Sequence, residues 1–193
     1  MLVSSIRLPG SLEDERVRLR PLAARDFPRW VDAHREEPEL GVLLGSERDP
    51  SIDDLRSRLE RSPERLAAGQ SAELVIADTP TDEFVGAVNL FALDWHSRRG
   101  EVGIWLSQPA RGRGLASAAL VLMLDWVFDS LELERVEMTT IPDNAQLPRL
   151  AARLGFVREG VLRARNLERG RRVDIIFYGL LRSEWAAQRG RGI

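Results

Sequence analysis

The stretch spanning residues 102–117 constrains this chain more than any other. An apolar run, Val102–Leu106, passes through Gln108-Pro-Ala-Arg-Gly-Arg-Gly114 straight into a long helical pattern beginning at Leu115. A strand that ends in small residues and feeds a helix demands a layered fold of sheet and helix. It also leaves several backbone N–H groups unpaired and aimed one way, at the positive end of the helix dipole. Gly112 and Gly114 have no Cβ to keep a ligand away from the backbone, and Arg111 and Arg113 bring charge that could grip phosphate oxygens as a fork. The junction therefore predicts an anion-holding turn.

The flanking patterns set the fold class. Arg16–Arg20 alternates polar and apolar as an early strand, and a helix follows with Asp26 at its N-cap and Phe27, Trp30, Val31 and His34 on one face. The region 38–50 reads as loop. Ser51 to Asp54 has capping-box spacing and opens a second helix through Leu55 and Leu59. Ala72–Ala77 and Phe84–Leu90 flank the turn Asp78–Asp82 as a hairpin, and Gly100–Leu106 is the strand that enters the glycine turn. Beyond it come a buried helix from Leu115 through Val127, a strand Arg135–Thr140 and a helix Leu147–Leu154 stopped by Gly155. A final strand pair, Phe156–Leu162 and Val173–Leu181, is joined by a charged loop, and 188–193 reads as a frayed tail. This alternation gives a mixed α/β fold with helices on both faces of a central sheet, as a single domain over 1–193 with its core at about 15–186.

Composition removes whole classes of chemistry. The chain has 193 residues, a net charge of −2 and no cysteine, which excludes disulfides, thiolate ligands and a cysteine nucleophile. Two isolated histidines, His34 and His96, argue against a histidine metal site, so no metal is expected. All 28 basic residues are arginine; with no lysine the glycine turn is not a Walker A loop, and the arginine excess is read as genomic base composition. No apolar run is long enough for a membrane helix, and Met1-Leu-Val-Ser-Ser-Ile-Arg7 is too short for a secretory leader, so a cytoplasmic location is expected.

With these residues in hand the chain resembles the GNAT acyltransferases. Arg111-Gly-Arg-Gly-Leu-Ala116 fits their Arg/Gln-x-x-Gly-x-Gly/Ala signature. The specific part is the series around it: Glu101-Val-Gly-Ile-Trp-Leu106, Asp143-Asn144, Leu154-Gly-Phe156, Glu159-Gly-Val-Leu-Arg163, Asp174 and Leu181-Arg-Ser-Glu-Trp185. That series resembles the RimJ/RimL branch of N-acetyltransferases, from Val17 to Trp185. The resemblance implies a mostly antiparallel central sheet of six to seven strands, acetyl-CoA as donor and an amine acceptor, either a small molecule or a protein N-terminus. It places the pyrophosphate on the backbone of Gly112, Arg113, Gly114, Leu115, Ala116 and Ser117, with Arg111 beside it. It lays the pantetheine arm along Trp105, Leu106 and Ser107, and brings Asn144 to that arm and Arg153 to the outer phosphate or adenosine. A homodimer is compatible with this reading.

An amine is largely protonated near neutral pH, so direct attack on a thioester needs a proton acceptor. Glu101, at the start of the strand that delivers the thioester, is the first candidate and Asp174 the second. The alternatives are pairing of Glu101 with an arginine and a loop-orienting role for Asp174. A backbone N–H near Leu106 is suited to the developing oxyanion. Where the family often has Asn-x-x-Ser, this chain has Asn144-Ala-Gln-Leu147, so the serine that would meet the leaving thiolate is missing. Tyr178, the only tyrosine, is the substitute, with a core position as its alternative. The five tryptophans read as core or pocket walls, and the arginine-rich 163–172 segment as a solvated hairpin, with no nucleic acid or membrane partner expected. Two other function classes stay open: a non-catalytic coenzyme A sensor or interaction module, and an RNA-binding protein. The acceptor pocket is expected from 40–61 and 94–99.

Overall fold

A computed structural model describes residues 5–9, 12–38, 40–41, 48–168 and 170–190. Its centre is an eight-stranded sheet of order β1-β2-β3-β4-β5-β6-β8-β7. The strands are β1 Leu12–Glu13, β2 Val17–Pro21, β3 Ala72–Asp78, β4 Phe84–Asp94, β5 Arg99–Leu106, β6 Arg135–Thr140, β7 Val157–Glu168 and β8 Arg171–Leu181. Every neighbouring pair is antiparallel except β5 with β6. The strand beyond the expected six to seven is two-residue β1, too short to leave a pattern in sequence.

Alternation along each strand divides the core in two. Leu74, Ile76, Val88, Leu90, Val102, Leu106, Val136 and Met138 point to one face. There they meet α3 (Leu115–Asp125), α4 (Gln146–Arg153) and α5 (Arg182–Arg189). Val75, Ala77, Ala87 and Trp105 point to the other, under α1 (Phe27–Glu36) and α2 (Ile52–Ala67). Helices cover both faces, as expected. On α3 the buried positions are Leu115, Ala118, Ala119, Leu120, Met123 and Leu124. Burying each of the larger ones contributes about 1.5–3 kcal/mol. The helix closes in a single π turn, with Leu131 N–H on Trp126 O at 3.2 Å.

Local signals held where side chains act on their own backbone. Ser51 and Asp54 form the capping box at the start of α2: Asp54 N–H donates to Ser51 Oγ at 3.2 Å and Ser51 N–H to Asp54 Oδ2 at 2.8 Å. Asp26 stands at the N-cap position of α1 as expected, but its side chain does not bond the first turn of that helix. A short 3-10 turn, Ala24–Asp26, precedes the helix, and the Asp26 carboxylate takes Ala23 N–H and a forked pair from Arg20 instead. Residue 39 and residues 42–47 of the expected loop lie outside the described residues, as do 191–193 of the expected tail. Gln188 and Arg189 belong to α5, which was not anticipated. The charged 163–172 segment is mostly strand, because β7 and β8 run on as an exposed ribbon.

Candidate active site

Strands β5 and β6 pair only over Arg99–Glu101 with Arg135–Glu137. Beyond that point they part, β5 staying with β4 through Leu106 and β6 with β8 through Thr140. The inner edges of Val102–Leu106 and Met138–Thr140 thus keep alternate backbone N–H and C=O groups without ladder partners, an arrangement that accepts an extended molecule as an added strand.

The parted edge of β5 leads into the glycine turn. Ser107 is tied back, its N–H and Oγ both donating to Val85 O at 2.9 and 3.2 Å. A 3-10 turn over Gln108–Ala110 follows, and then Gly112 at φ 76° and Gly114 at φ 79° reverse the chain into α3. Such φ values are strained for any residue with a Cβ. The N–H groups of Gly112, Arg113 and Gly114 make no hydrogen bond among the described residues, and Leu115, Ala116 and Ser117 open the helix with no earlier turn to receive theirs. Six donors gather at the positive end of α3.

The signature arginines are placed otherwise than expected. Arg111 forks onto Glu37 at the end of α1, Nη1 to Oε1 at 2.8 Å and Nη2 to Oε2 at 2.5 Å, while Nε and Nη2 also donate to Leu106 O. Arg113 Nη2 donates to Asp78 Oδ2 at 2.6 Å. In these positions both guanidinium groups brace the turn, and the Arg113 side chain, 52% exposed, also reaches the surface. Arg153 Nη1 reaches Ser117 Oγ at 3.4 Å and forms no ion pair among the described residues, so its charge stands at the mouth of the helix. Arg16, which sequence reasoning passed over as a strand residue, brings Nη1 within 3.3 Å of the place a Gly114 Cβ would occupy. Asn144 caps α4, its Oδ1 accepting from Gln146 and Leu147 N–H at 3.1 and 3.2 Å, which leaves only its amide nitrogen for other contacts.

On the α1/α2 side, Glu101 shares a face with Trp105. Its Oε1 accepts from Thr139 Oγ1 at 2.5 Å, across the mouth of the cleft. Burial pushes the Glu101 carboxyl above the ordinary carboxylate range and the Thr139 bond pulls it back; Glu137 adds to the rise, while Arg165 and Arg99 oppose it. Sequence alone could not find Thr139, which lies 38 residues away. Trp105 is edge-on to Trp30 and to His34, at 5.2 and 5.0 Å between ring centroids. His34 Nδ1 meets Trp30 O at 3.0 Å, and burial lowers its pKa, leaving the ring neutral at pH 7.

The other two catalytic candidates stand apart from Glu101. Asp174 Oδ1 accepts Ala164 N–H at 2.7 Å and so holds β7 where Ala164 takes φ 51°. Tyr178, 5% exposed, packs in the core of the opposite face with Met138 and Leu180. Leu147 is packed against that core, with no hydroxyl to offer a thiolate. Trp30, Trp105, Trp126 and Trp185 are buried, and Trp95 is held by its Nε1 bond to Gly69 O at 2.8 Å, so the tryptophans are structural walls.

Comparison with known proteins agrees with this geometry. A family model described as an acetyltransferase (GNAT) domain matches residues 16–157. The uncharacterized N-acetyltransferase p20 of Bacillus licheniformis is 28% identical over 176 residues, covering 91% of this chain and 98% of that protein. The ribosomal-protein-serine acetyltransferase of Escherichia coli is 32% identical over 82 residues, 42% of this chain and 46% of its own length. Among solved structures, Mycobacterium smegmatis RimJ in complex with CoA-disulfide superposes with a TM-score of 0.75 at 23% identity, covering 91% of this chain and 90% of that one.

Proposed function

The chain belongs to the acetyltransferase (GNAT) domain family, and we propose that it moves the acetyl group of acetyl-CoA onto a primary amine, with a peptide or protein N-terminus as the acceptor class. One observation carries the reading. The edge of β5 that parts from β6 leads through the glycine turn to six N–H groups at the start of α3. An extended arm fits the parted edge and a pyrophosphate fits the donors, which is the shape of coenzyme A. RimJ, of the same fold, binds CoA-disulfide, and a relative acts on a ribosomal protein, which supports donor and acceptor class respectively.

Residue roles follow from position. The backbone from Gly112 to Ser117 holds the pyrophosphate, and Arg153 supplies charge beside it. The β5 edge over Trp105, Leu106 and Ser107 lines the pantetheine arm, and Asn144 offers its amide nitrogen from the opposite side. Acetyl-CoA supplies a thioester whose carbonyl carbon accepts the amine nitrogen as the C–S bond breaks. Glu101, held by Thr139 and raised in pKa by burial, takes the proton the amine must lose. Asp174 is committed to the β7 bulge and Tyr178 to the core, so neither is assigned a proton. With Leu147 in place of serine, the sulfur leaves as thiolate with help from solvent, its pKa of about 8.5 making a strong acid unnecessary.

Purified protein mixed with acetyl-CoA and a panel of peptides, polyamines and aminoglycosides is expected to release free thiol only when an amine acceptor is present. Binding of acetyl-CoA with no thiol released across the panel would overturn the transferase reading in favour of a coenzyme A sensor.

A further inference from the structure

Two buried side-chain polar atoms on the acceptor face have no hydrogen-bond partner among the described residues: Trp30 Nε1, walled in by Phe84 and Trp105, and Asn89 Oδ1, which lies on the sheet itself. Asn89, midway along β4, pairs with Glu73 on β3 and Gly103 on β5. By the alternation of the strand it shares a face with Ala87 and Trp105. Its Oδ1 is shut away from water, with no hydrogen-bond partner among the described residues. Buried carbonyl oxygens nearly always find a donor, and an orphan calls for an explanation. Its carboxylate neighbours are themselves acceptors, Glu73 taking Arg58 at 3.0 Å and Glu101 taking Thr139 at 2.5 Å.

Opposite Asn89, Gly103 has no side chain, so the sheet offers a bare floor between Glu101 and Trp105. Among the described residues only Phe91 comes within 4 Å of the place a Gly103 Cβ would take. A Cβ at Gly103 would lie 3.3 Å from Phe91 Cε1, with no atom nearer. Phe91 is 37% exposed and belongs to neither core.

We propose that Asn89 selects the acceptor: with Phe91 turned aside, a primary amine lies over Gly103 and donates an N–H to the Asn89 side-chain oxygen, while Glu101 faces the same nitrogen. This deepens the proposed function and rests on it. Proton counting gives the specificity. A neutral primary amine attacks the carbonyl carbon with its lone pair, forming C–N as C–S breaks; the nitrogen then carries two hydrogens, gives one to Glu101 and keeps the other on Asn89. A secondary amine gives its only hydrogen to Glu101 and has none left for Asn89, leaving a buried acceptor unpaired in the product.

The test uses an alanine-initiated hexapeptide and the same peptide with an N-methylated first residue. The chain has three asparagines, Asn89, Asn144 and Asn166, so asparagine-selective 15N labelling resolves each carboxamide by NMR. In protein saturated with CoA, where no transfer takes place, both peptides are expected to shift the Asn89 carboxamide signal, since each amine still carries an N–H to donate; the two differ in turnover. In steady state, Asn89→Val is expected to raise the peptide KM about tenfold, leave the acetyl-CoA KM unchanged and erase the preference for the unmethylated peptide. Gly103→Ala, which fills the floor with a methyl group, guards against misfolding of the first variant and is expected to raise the peptide KM in the same way. A bound peptide that leaves the Asn89 signal unmoved, or Asn89→Val with wild-type KM and preference, overturns the proposal. Thiol release is read separately: its absence in wild type together with a shifted Asn89 signal overturns the transfer reaction and not the pocket.

Discussion

Replacing Arg111 with alanine separates two roles that a glycine-loop arginine can play. In this structure its guanidinium makes two bonds to Glu37 and two to Leu106 O, with the Arg111 side chain 24% exposed and that of Glu37 20%. Fully buried charge-assisted bonds contribute about 1.5–3 kcal/mol each. Screening at a site exposed by a fifth to a quarter reduces the ion pair to about 1 kcal/mol, and the carbonyl bonds add about 1 more. Arg111→Ala, which also leaves Glu37 unpaired, should therefore cost about 2–3 kcal/mol, equivalent to roughly 5–10 °C in Tm for a chain of this size. Urea unfolding of wild type, Arg111→Ala, Glu37→Ala and the double variant should give a coupling energy of about 1 kcal/mol. Titration of acetyl-CoA then discriminates between the roles. A brace expects Arg111→Ala and Glu37→Ala to weaken acetyl-CoA by similar factors, within about threefold of each other. A phosphate clamp expects Arg111→Ala to lose about a hundredfold and Glu37→Ala, which frees the guanidinium, to bind more tightly; that pattern would refute the reasoning.

Other perturbations bear on the remaining parts of the site. Glu101→Gln should lower kcat by about 10²–10⁴ with the acetyl-CoA KM unchanged, measured by steady-state thiol release. It should also raise Tm at pH 8: burial raises the native pKa of Glu101 above its unfolded value, so the native state loses stability as pH climbs from the unfolded pKa through the native one, and the amide escapes that loss. The Tm gain should vanish once pH falls below the unfolded value of about 4.3. Thr139→Val removes the hydroxyl that steadies the charged carboxylate, so the acidic limb of the kcat/KM profile should move to higher pH. If Arg153 faces the phosphate as proposed, Arg153→Ala should weaken acetyl-CoA and flatten the dependence of its Kd on salt. Tyr178→Phe should keep kcat within about twofold of wild type, since its ring belongs to the core.

What sequence revealed of this molecule was the part written in near neighbours. The Ser51 capping box, the turn at Asp78–Asp82, the helix from Leu115 and the glycine turn that feeds it depend on residues within a few positions of one another. The β7–β8 ribbon was cut short because strands exposed on both faces carry no apolar alternation. Helix α5 escaped notice because Trp185 is its one buried residue and its cap is an apolar Leu181 whose N–H donates to Glu184 Oε2 at 2.9 Å. The site suffered most from distance along the chain. Glu37 is 74 residues from the arginine it ties down and Thr139 is 38 from Glu101, and no local pattern announces either contact. Arginine type and position suggested a phosphate fork, and sequence held no sign of the bonds that Arg111 and Arg113 make to Glu37 and Asp78.

The most direct test follows free thiol and peptide mass together, with acetyl-CoA and an alanine-initiated peptide, for wild type and Glu101→Gln. Wild type should place one acetyl group on the α-amine for each thiol released, and Glu101→Gln should slow both equally while still binding acetyl-CoA. Thiol release without peptide acetylation, or Glu101→Gln turning over at the wild-type rate, would contradict an amine acetyltransferase that uses Glu101 as its proton acceptor.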